Sequence, residues 1–459
     1  MLYKQTNNMN LLQDFLVEND HIQFATPDSP SYADLRTGFT INATKSPRLI
    51  VRPRSANDVS ALVSILTANH LPFTVRAGGH DMWGRSQADD AVTIDLREIC
   101  HVRVDDTSHS HFAWVGGGVI ILDLVKELKK HNLVVPHAVT PTVGFVGWAI
   151  YGGYGLLSTK YGLGVDQILG ATVVDAQGNI READEKMLTV IRGGGGTVGI
   201  IVDLKIKVYP LDQVLAGAII YQPNELVRAI RDFNDKLHQA KRAGIPKELG
   251  LFPFVMNGPM GKALTVLFVW ASSDLDEGQS WLSQVSSWAP IVTSTVEPTT
   301  MAEFNEKANS LVPDQIYGTV YTSSFRSLTP EVTEVICKHT PLQPKYPETL
   351  FGIHELRPDA PMVSPDNSIF NARCPHVIIE VLAMAGSMDT MDEVLEWGQM
   401  FHDALMKTDA TNITVPYIPL TPSDRTDLKA IYGGNFEILQ TIKAKYDPDG
   451  VFENALVQP

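Results

Sequence analysis

Between Leu49 and Val208, apolar residues fall into short alternating runs and 3.6-periodic stripes, separated by glycine and polar turns. Such a pattern predicts strands interleaved with amphipathic helices. Leu49-Ile-Val-Arg-Pro53 predicts a strand. Ser55-Ala-Asn-Asp58 is a capping-box-like start to a helix carrying Val59, Leu62, Val63 and Leu66 on one face. Phe73 to Val75 and Val92 to Ile94 predict two more strands. Phe112-Ala-Trp-Val115 and three glycines lead into a helix over about 120–131, with Ile121, Leu124, Val125 and Leu128 as its stripe. Ala171-Thr-Val-Val-Asp175 meets a turn at Gly178, and Ile200 to Val208 alternates as a strand does. The whole predicts an α+β domain with mixed sheets.

From about residue 211 to 415 the texture changes. Amphipathic helices over Glu225 to Leu237, Asp274 to Trp288 and Asp389 to Leu405 alternate with the apolar strands Leu264 to Trp270 and Val377 to Leu382. This predicts a large antiparallel sheet covered by helices, of the kind that forms a substrate pocket. Residues 21–45 are loop-rich, and Leu428 to Tyr446 is helical in pieces. No internal repeat or low-complexity segment is evident.

Composition narrows the function classes. A chain of 459 residues with 44% hydrophobic content can bury a large core in two or three domains. A formal net charge of −15 argues against an extended nucleic-acid surface. No run of eighteen apolar residues exists to form a transmembrane helix, and residues 1–20 lack the apolar core of a signal peptide. A soluble, cytoplasmic protein without membrane association is expected. Cys100, Cys337 and Cys374 are too few and too scattered for a disulfide framework or a metal site, and buried inert thiols are expected for all three.

Two stretches carry candidate chemistry. In Arg76-Ala-Gly-Gly-His80-Asp-Met-Trp-Gly84, two glycines run into a histidine just after a predicted strand. The missing side chains let a planar ligand lie close to the backbone, and imidazole suits nucleophilic or proton-transfer work near neutral pH; the alternative is a plain loop. The segment from Pro136 to Asp166 holds five glycines between positions 144 and 155, interleaved with apolar residues. Either backbone amides line a buried ligand such as nucleotide phosphates, or the loop is tightly packed. A third stretch, Arg192 to Gly199, spells G-x-G-x-x-G at Gly194, Gly196 and Gly199. It is not a dinucleotide fingerprint, because that motif must open a helix and a strand follows here.

Taken together, the Gly-Gly-His loop, Thr142-Val-Gly-Phe, Lys160-Tyr-Gly-Leu, Ile168-Leu-Gly-Ala-Thr172, the Arg192–Gly199 turn, Lys445-Tyr-Asp-Pro448 and Phe452-Glu-Asn454 resemble the FAD-linked oxidases of the vanillyl-alcohol oxidase and berberine-bridge-enzyme superfamily. The likeness covers about the first 210 residues and the last thirty. It implies a two-part FAD-binding domain of the PCMH (vanillyl-alcohol oxidase) type over 1–210, with its core at about 43–210. A substrate-binding cap over 211–415 and a segment returning to the FAD domain over 416–459 complete the implied architecture. The implied chemistry is hydride transfer from a small organic substrate, a specialised metabolite or alkaloid-like molecule, to FAD, with O2 as acceptor.

The resemblance also implies residue roles. His80 is the covalent flavin link. Arg76, Gly78, Gly79, Asp81, Gly84, Thr140, Thr142, Val143, Gly144, Gly147 and Trp148 are cofactor contacts. So are Gly152, Gly153, Gly155, Leu156, Gly199, Ile200, Val202, Asn435 and Asn454. Relatives with a second tether carry a cysteine before the Pro-Thr-Val-Gly turn; Thr140 stands there, and a hydroxyl is too weak a nucleophile to replace a thiolate. A single histidyl attachment is therefore expected. Leu188-Thr-Val190 replaces an aromatic pair usual in the family, so packing beside the flavin should differ. On the substrate side Tyr432, Tyr321, His354 and Glu355 are candidate catalytic groups, with Tyr317 and Arg357 on the same predicted cap strands. Phe436 stands where the family often has a tyrosine used as base. Two other classes remain open: a non-redox isomerase or cyclase using FAD structurally, and a non-catalytic flavin-containing binding protein.

Overall fold

In the computed structural model, which describes residues 2–107, 110–408, 417–421 and 427–455, two main sheets come from the first 210 residues and a third from the middle of the chain. The first sheet has the spatial order Gln23–Ala25, Leu49–Arg52, Val92–Asp95, Phe73–Arg76, and its last three strands are parallel. A parallel neighbour requires a crossover, and the helix Ala56–Ala68 supplies it. Ser55 caps that helix by accepting the Asp58 N–H at 3.2 Å, while the Asp58 carboxylate turns outward to the Arg54 N–H at 2.9 Å. Val59, Leu62, Val63 and Leu66 are buried against Leu49, Val51 and Ile94. The parallel strand Phe73–Arg76 then delivers the chain directly into Gly78-Gly79-His80.

The second sheet is antiparallel, in the order Val102–Thr107, Ser110–Gly116, Ile200–Lys207, Ile168–Val174, Ile180–Glu182. The helix Ile121–Lys129 buries its whole predicted stripe against it. The glycine turn at 194–199 closes the helix Glu185–Gly194 and opens the strand Ile200–Lys207, the context the sequence indicated. Tyr209–Pro210 still pairs with Leu133–Val134, and Val214–Tyr221 is the first strand of the third sheet.

That third sheet has eight strands, all antiparallel. Along its main path lie Ile291–Ser294, Val214–Tyr221, Gly261–Trp270, Leu249–Gly258, Leu350–Leu356, His376–Ala385 and Tyr317–Phe325, with Glu297–Thr299 paired beside Val214–Tyr221. One face packs under the helices Leu226–Ala243, Leu275–Ser286, Pro330–His339 and Met391–Met406. The other face turns toward the first two sheets, with Phe252 against Leu156 and Met384 against Met82. Strand parity sets this division. Val377, Ile379 and Val381 face the helices, and Ile378, Glu380, Leu382 and Met384 face away from them.

The C-terminal helices Leu428–Tyr432 and Phe436–Tyr446 return to the core of the second sheet, and Phe452 to that of the first. The expected cap boundary at 415–416, like the chain ends at residues 1 and 459, lies outside the described residues. One element was not foreseen and one expectation is corrected. The loop-rich start of the chain is preceded by a helix, Leu2–Glu18, which buries Met9, Leu12 and Leu16; its polar run hid it from a periodicity reading. The cysteines are not all buried: Cys337 is, Cys374 is half-buried, and Cys100 is exposed at the end of a turn. No helix among the described residues is long and apolar enough to cross a membrane.

Candidate cofactor and substrate site

A cavity of about 530 Å³ separates the cap sheet from the two lower sheets, a size within the ~300–1,000 Å³ usual for small-molecule sites. Its lower wall starts at the Gly78–Asp81 loop. Gly79 has φ 80°, and a Cβ there would meet the Arg76 guanidinium at 2.5 Å. A Cβ on Gly78 would sit 2.3 Å from the Gly144 nitrogen, and one on Gly144 would sit 2.5 Å from the Gly78 nitrogen. The two glycine loops therefore touch backbone to backbone. His80 lines the cavity with its ring stacked on Phe39. Burial, with the Arg76 charge nearby, pushes its pKa down to about 4, so the imidazole is neutral at ordinary pH.

The expected cofactor contacts divide into those at the cavity and those behind it. Gly78, Gly79, His80, Asp81, Thr140 and Val143 line it, as do Gly144, Gly147, Trp148, Gly199, Ile200 and Asn454. Arg76 does not. Its buried guanidinium donates to the carbonyls of Leu35 and Thr37 and so props the loop from behind. Gly84, at φ 72°, only turns the chain. Asp81 is held by Arg85 at 2.9 Å. Gly152, Gly153, Gly155 and Leu156 also miss the cavity, because these glycines serve close packing: a Cβ on Gly155 would lie 1.9 Å from the His137 carbonyl, and one on Gly152 2.7 Å from Phe370. Val202 is core, one residue past the lining Ile201. Asn454 Nδ2 donates to the Phe73 carbonyl at 2.9 Å, whereas Asn435 donates to Ile369 at 3.2 Å, away from the cavity.

The upper wall is made of cap side chains. Phe252, Phe254, Leu382 and Met384 give it an apolar surface, into which His354 and Glu380 project as a pair 3.2 Å apart. They sit diagonally on neighbouring strands, since Gly352 is the residue opposite Glu380. Tyr154 and Tyr417 close one end with rings in a T at 5.2 Å. Tyr154 donates to His376 Nε2 at 2.9 Å, with the tautomer set by the 2.7 Å bond between His376 Nδ1 and the Cys374 carbonyl. Burial raises the pKa of both tyrosines, so both stay phenols.

Of the four catalytic candidates, His354 reaches the cavity and three do not. Glu355 follows His354 on the strand and so faces the helices, where it pairs with Lys241 and Arg357. Tyr321 likewise points to the helix side, stacked on His402. Tyr432 is fully buried in the lower core and donates to the Gly193 carbonyl at 3.0 Å; Phe436 is in the same core. The tyrosines that do line the cavity are Tyr151, Tyr154 and Tyr417. Sequence reasoning missed Glu380, Tyr154 and Tyr417. Glu380 left a signal, as a lone carboxylate on the non-helix parity of the apolar run Val377 to Leu382.

The lower wall fits a flavin nucleotide. Among the described residues no protein acceptor takes the backbone N–H of Gly78, Gly79, His80 or Asp81, and Thr142 Oγ1 is buried behind the second loop without a hydrogen-bond partner. A run of free amides is a receptor for phosphate oxygens, and the flanking apolar walls suit a flat ring system. Among the described residues no group of His, Cys, Asp and Glu could hold a metal ion.

Comparison with known proteins agrees with this geometry. The FAD binding domain family matches residues 47–184, and the "berberine and berberine like" family matches 425–456. FAD-linked oxidoreductase aurO of Gibberella zeae is 30% identical over 438 residues, which span 94% of this chain and 84% of that protein. (R)-6-hydroxynicotine oxidase of Paenarthrobacter nicotinovorans is 35% identical over 220 residues, spanning 46% of this chain and 48% of that protein. Among solved structures, 6-hydroxy-D-nicotine oxidase of Arthrobacter nicotinovorans superposes with a TM-score of 0.81 at 24% identity, covering 94% of this chain and 96% of that one. Glucooligosaccharide oxidase of Acremonium strictum, described with a 6-S-cysteinyl, 8α-N1-histidyl FAD, superposes with a TM-score of 0.77 at 20% identity, covering 95% and 97%.

Proposed function

Because the chain belongs to the berberine-bridge-like family of FAD-linked oxidoreductases, we propose that it oxidises a small, largely apolar organic molecule, a specialised metabolite, in the cavity between its cap and its FAD-binding half. We read residues 1–210 as the FAD domain, 211–415 as the cap and 416–459 as the return to the FAD domain. FAD bound there supplies a two-electron acceptor, and dioxygen is the terminal oxidant. The attachment is to one residue, His80, since Thr140 offers no thiolate. The carrying observation is continuity: one cavity runs from the Gly78–Asp81 amides and the neutral His80 to the Glu380–His354 pair.

Each end has its own task. The free amides of Gly78 to Asp81 would hold the phosphates of the bound FAD, and Gly144, Gly147, Trp148, Gly199 and Ile200, which line the same wall, would supply further contacts to it. At the other end Glu380 accepts a substrate O–H or N–H and orients the carbon that loses hydride. His354 fixes that carboxylate, and Tyr154, already donating to His376, offers its remaining lone pairs to a second substrate donor. Phe252, Phe254 and Leu382 exclude water from the reacting bond.

The test has two stages. Acid-precipitated wild-type protein should keep its yellow colour and His80→Ala should release it. Anaerobic addition of a panel of amines, alcohols and phenols should then bleach the flavin, and air should restore it with peroxide. Turnover without bleaching would overturn the oxidase reading in favour of a non-redox reaction on the same fold, and a colourless protein after FAD supplementation would overturn the site.

A further inference from the structure

Phe39 lies in a short stretch between helix and strand, and neither the family motifs nor the reading above gives it a role. Its ring covers one face of the His80 imidazole, with centroids 4.3 Å apart and planes 19° from parallel. The backbone on either side is fastened. Phe39 N–H donates to the Gly79 carbonyl at 3.0 Å, the Ile316 N–H donates to the Phe39 carbonyl at 2.9 Å, and Ile41 N–H donates to the Ile316 carbonyl at 2.8 Å. Thr40 and Ile316 form a parallel bridge, and Thr40 Oγ1 reaches Met82 Sδ at 3.2 Å. The Phe39 backbone is thus clamped between the histidine loop and the cap.

His80 itself makes no hydrogen bond to the protein among the described residues. A functional imidazole is usually oriented by a hydrogen bond to one ring nitrogen, and here stacking takes that place. The difference matters for a nucleophile. The lone pair of a neutral imidazole lies in the ring plane, so a partner on the ring face fixes the plane and leaves both nitrogen edges open, whereas a hydrogen bond would occupy one of them.

We propose that Phe39 is the positioning residue for covalent flavin attachment: by stacking on His80 it holds the imidazole edge-on to the benzenoid-edge methyl of the isoalloxazine. The inference rests on the histidyl link proposed above. In that reaction a methyl C–H and the imidazole N–H break and a C–N bond forms. Two electrons enter the flavin ring and two protons are released, and dioxygen takes both electrons and both protons as hydrogen peroxide. Phe39 takes no part in the bonds exchanged. It restricts the ring to the attacking plane, the kind of orientation that proximity effects reward.

The experiment compares full-length wild type, Phe39→Ala, Phe39→Leu and Phe39→Tyr, each produced under riboflavin limitation and mixed aerobically with FAD. Total bound flavin is read from the visible spectrum, and the covalent share from colour retained in the acid pellet over time. Phe39→Ala and Phe39→Leu should bind flavin yet attach it about tenfold more slowly or worse, and Phe39→Tyr should stay near the wild-type rate because its ring stacks alike. Leucine preserves apolar bulk, so it keeps the test valid where alanine disturbs the fold. Attachment at the wild-type rate in Phe39→Leu overturns the inference while the His80 link stands. Equal loss of covalent and non-covalent flavin also overturns it, since the ring would then serve the fold. A wild-type pellet without colour overturns the His80 link, and this inference with it.

Discussion

The two walls of the cavity are made of different material. The lower wall exposes backbone as well as side chains: Gly78, Gly79, Gly144, Gly147 and Gly199 present amides and bare Cα atoms among His80, Val143, Trp148 and Ile200. The upper wall is largely side chain: Phe252, Phe254, His354, Glu380, Leu382 and Met384 project from strands. Where Gly78 and Gly144 meet, the lower wall tolerates almost no added atom, because chain meets chain there, whereas a Cβ on Gly147 would have no neighbour nearer than Ala77 Cβ at 4.0 Å. A side-chain wall can change its chemistry one residue at a time while the sheet behind it stays put. That division suits a protein that keeps one cofactor and adapts to a substrate.

The comparison can be broken most severely from below. Gly78→Ala places a methyl group where the Gly144 backbone stands, at a cost of about 3 kcal/mol or more. Thermal unfolding and flavin content should both report it, and a variant with wild-type melting and full flavin would show that the lower wall yields. Next comes the upper wall. Glu380→Gln should keep its flavin but lose about 10²–10³-fold in kcat/KM. On the adjacent strand, Glu355→Gln, one residue past His354 but on the helix face, should lower the melting temperature and leave kcat/KM within about threefold, as expected for a group away from the chemistry. If the two variants behaved alike, parity would not separate chemistry from support.

A smaller effect concerns acid. Burial holds the pKa of His137, a core residue under the lower wall, down to about 4, below the ~6.5 of an unfolded histidine. Between these values the unfolded chain binds the extra proton, so the stability present above pH ~6.5 is lost as the pH falls toward 4. Equilibrium unfolding across that window should show the loss, and His137→Gln should lessen it without abolishing it, since burial also lowers the pKa of His339 and His376. Smallest of all is Leu311→Ser. Leu311 borders the cavity yet is 83% exposed, so stability should change by no more than about 0.5 kcal/mol. KM for an apolar substrate should rise by about two- to fivefold if the side chain helps collect it, the size expected of a partial hydrophobic contact.

How much of this could be read in the sequence follows the same division. The alternation of strands and helices was legible because each element buries one face, as in Val59, Leu62, Val63 and Leu66. The Gly78–His80 loop was legible only beside the other motifs, since two glycines before a histidine also make a plain loop. Glycine alone could not say what its bareness is for. Gly144 and Gly147 open onto the cavity, while Gly152, Gly153 and Gly155, a few residues on, let other chain segments approach. On the cap, parity was readable but its sign was not. Without knowing which side the helices cover, Glu355 and Tyr321 are as plausible as Glu380. Motif likeness misled at Tyr432 and Asn435, where the chain folds into the lower core, and at Gly152, Gly153, Gly155, Leu156 and Val202, which pack outside the cavity, while Tyr417 reaches the cavity from a stretch with little pattern around it.

The mutual contact of Gly78 and Gly144 carries one more consequence. Each glycine leaves room for the other's main chain, so the first methyl group at either position would pry the loops apart and the second would enter a gap already opened. The two penalties should therefore fall well short of summing. In a double-mutant cycle this pair would show a large coupling energy with no side chains to carry it, and a lineage that had lost one of these glycines would feel little pressure to keep the other.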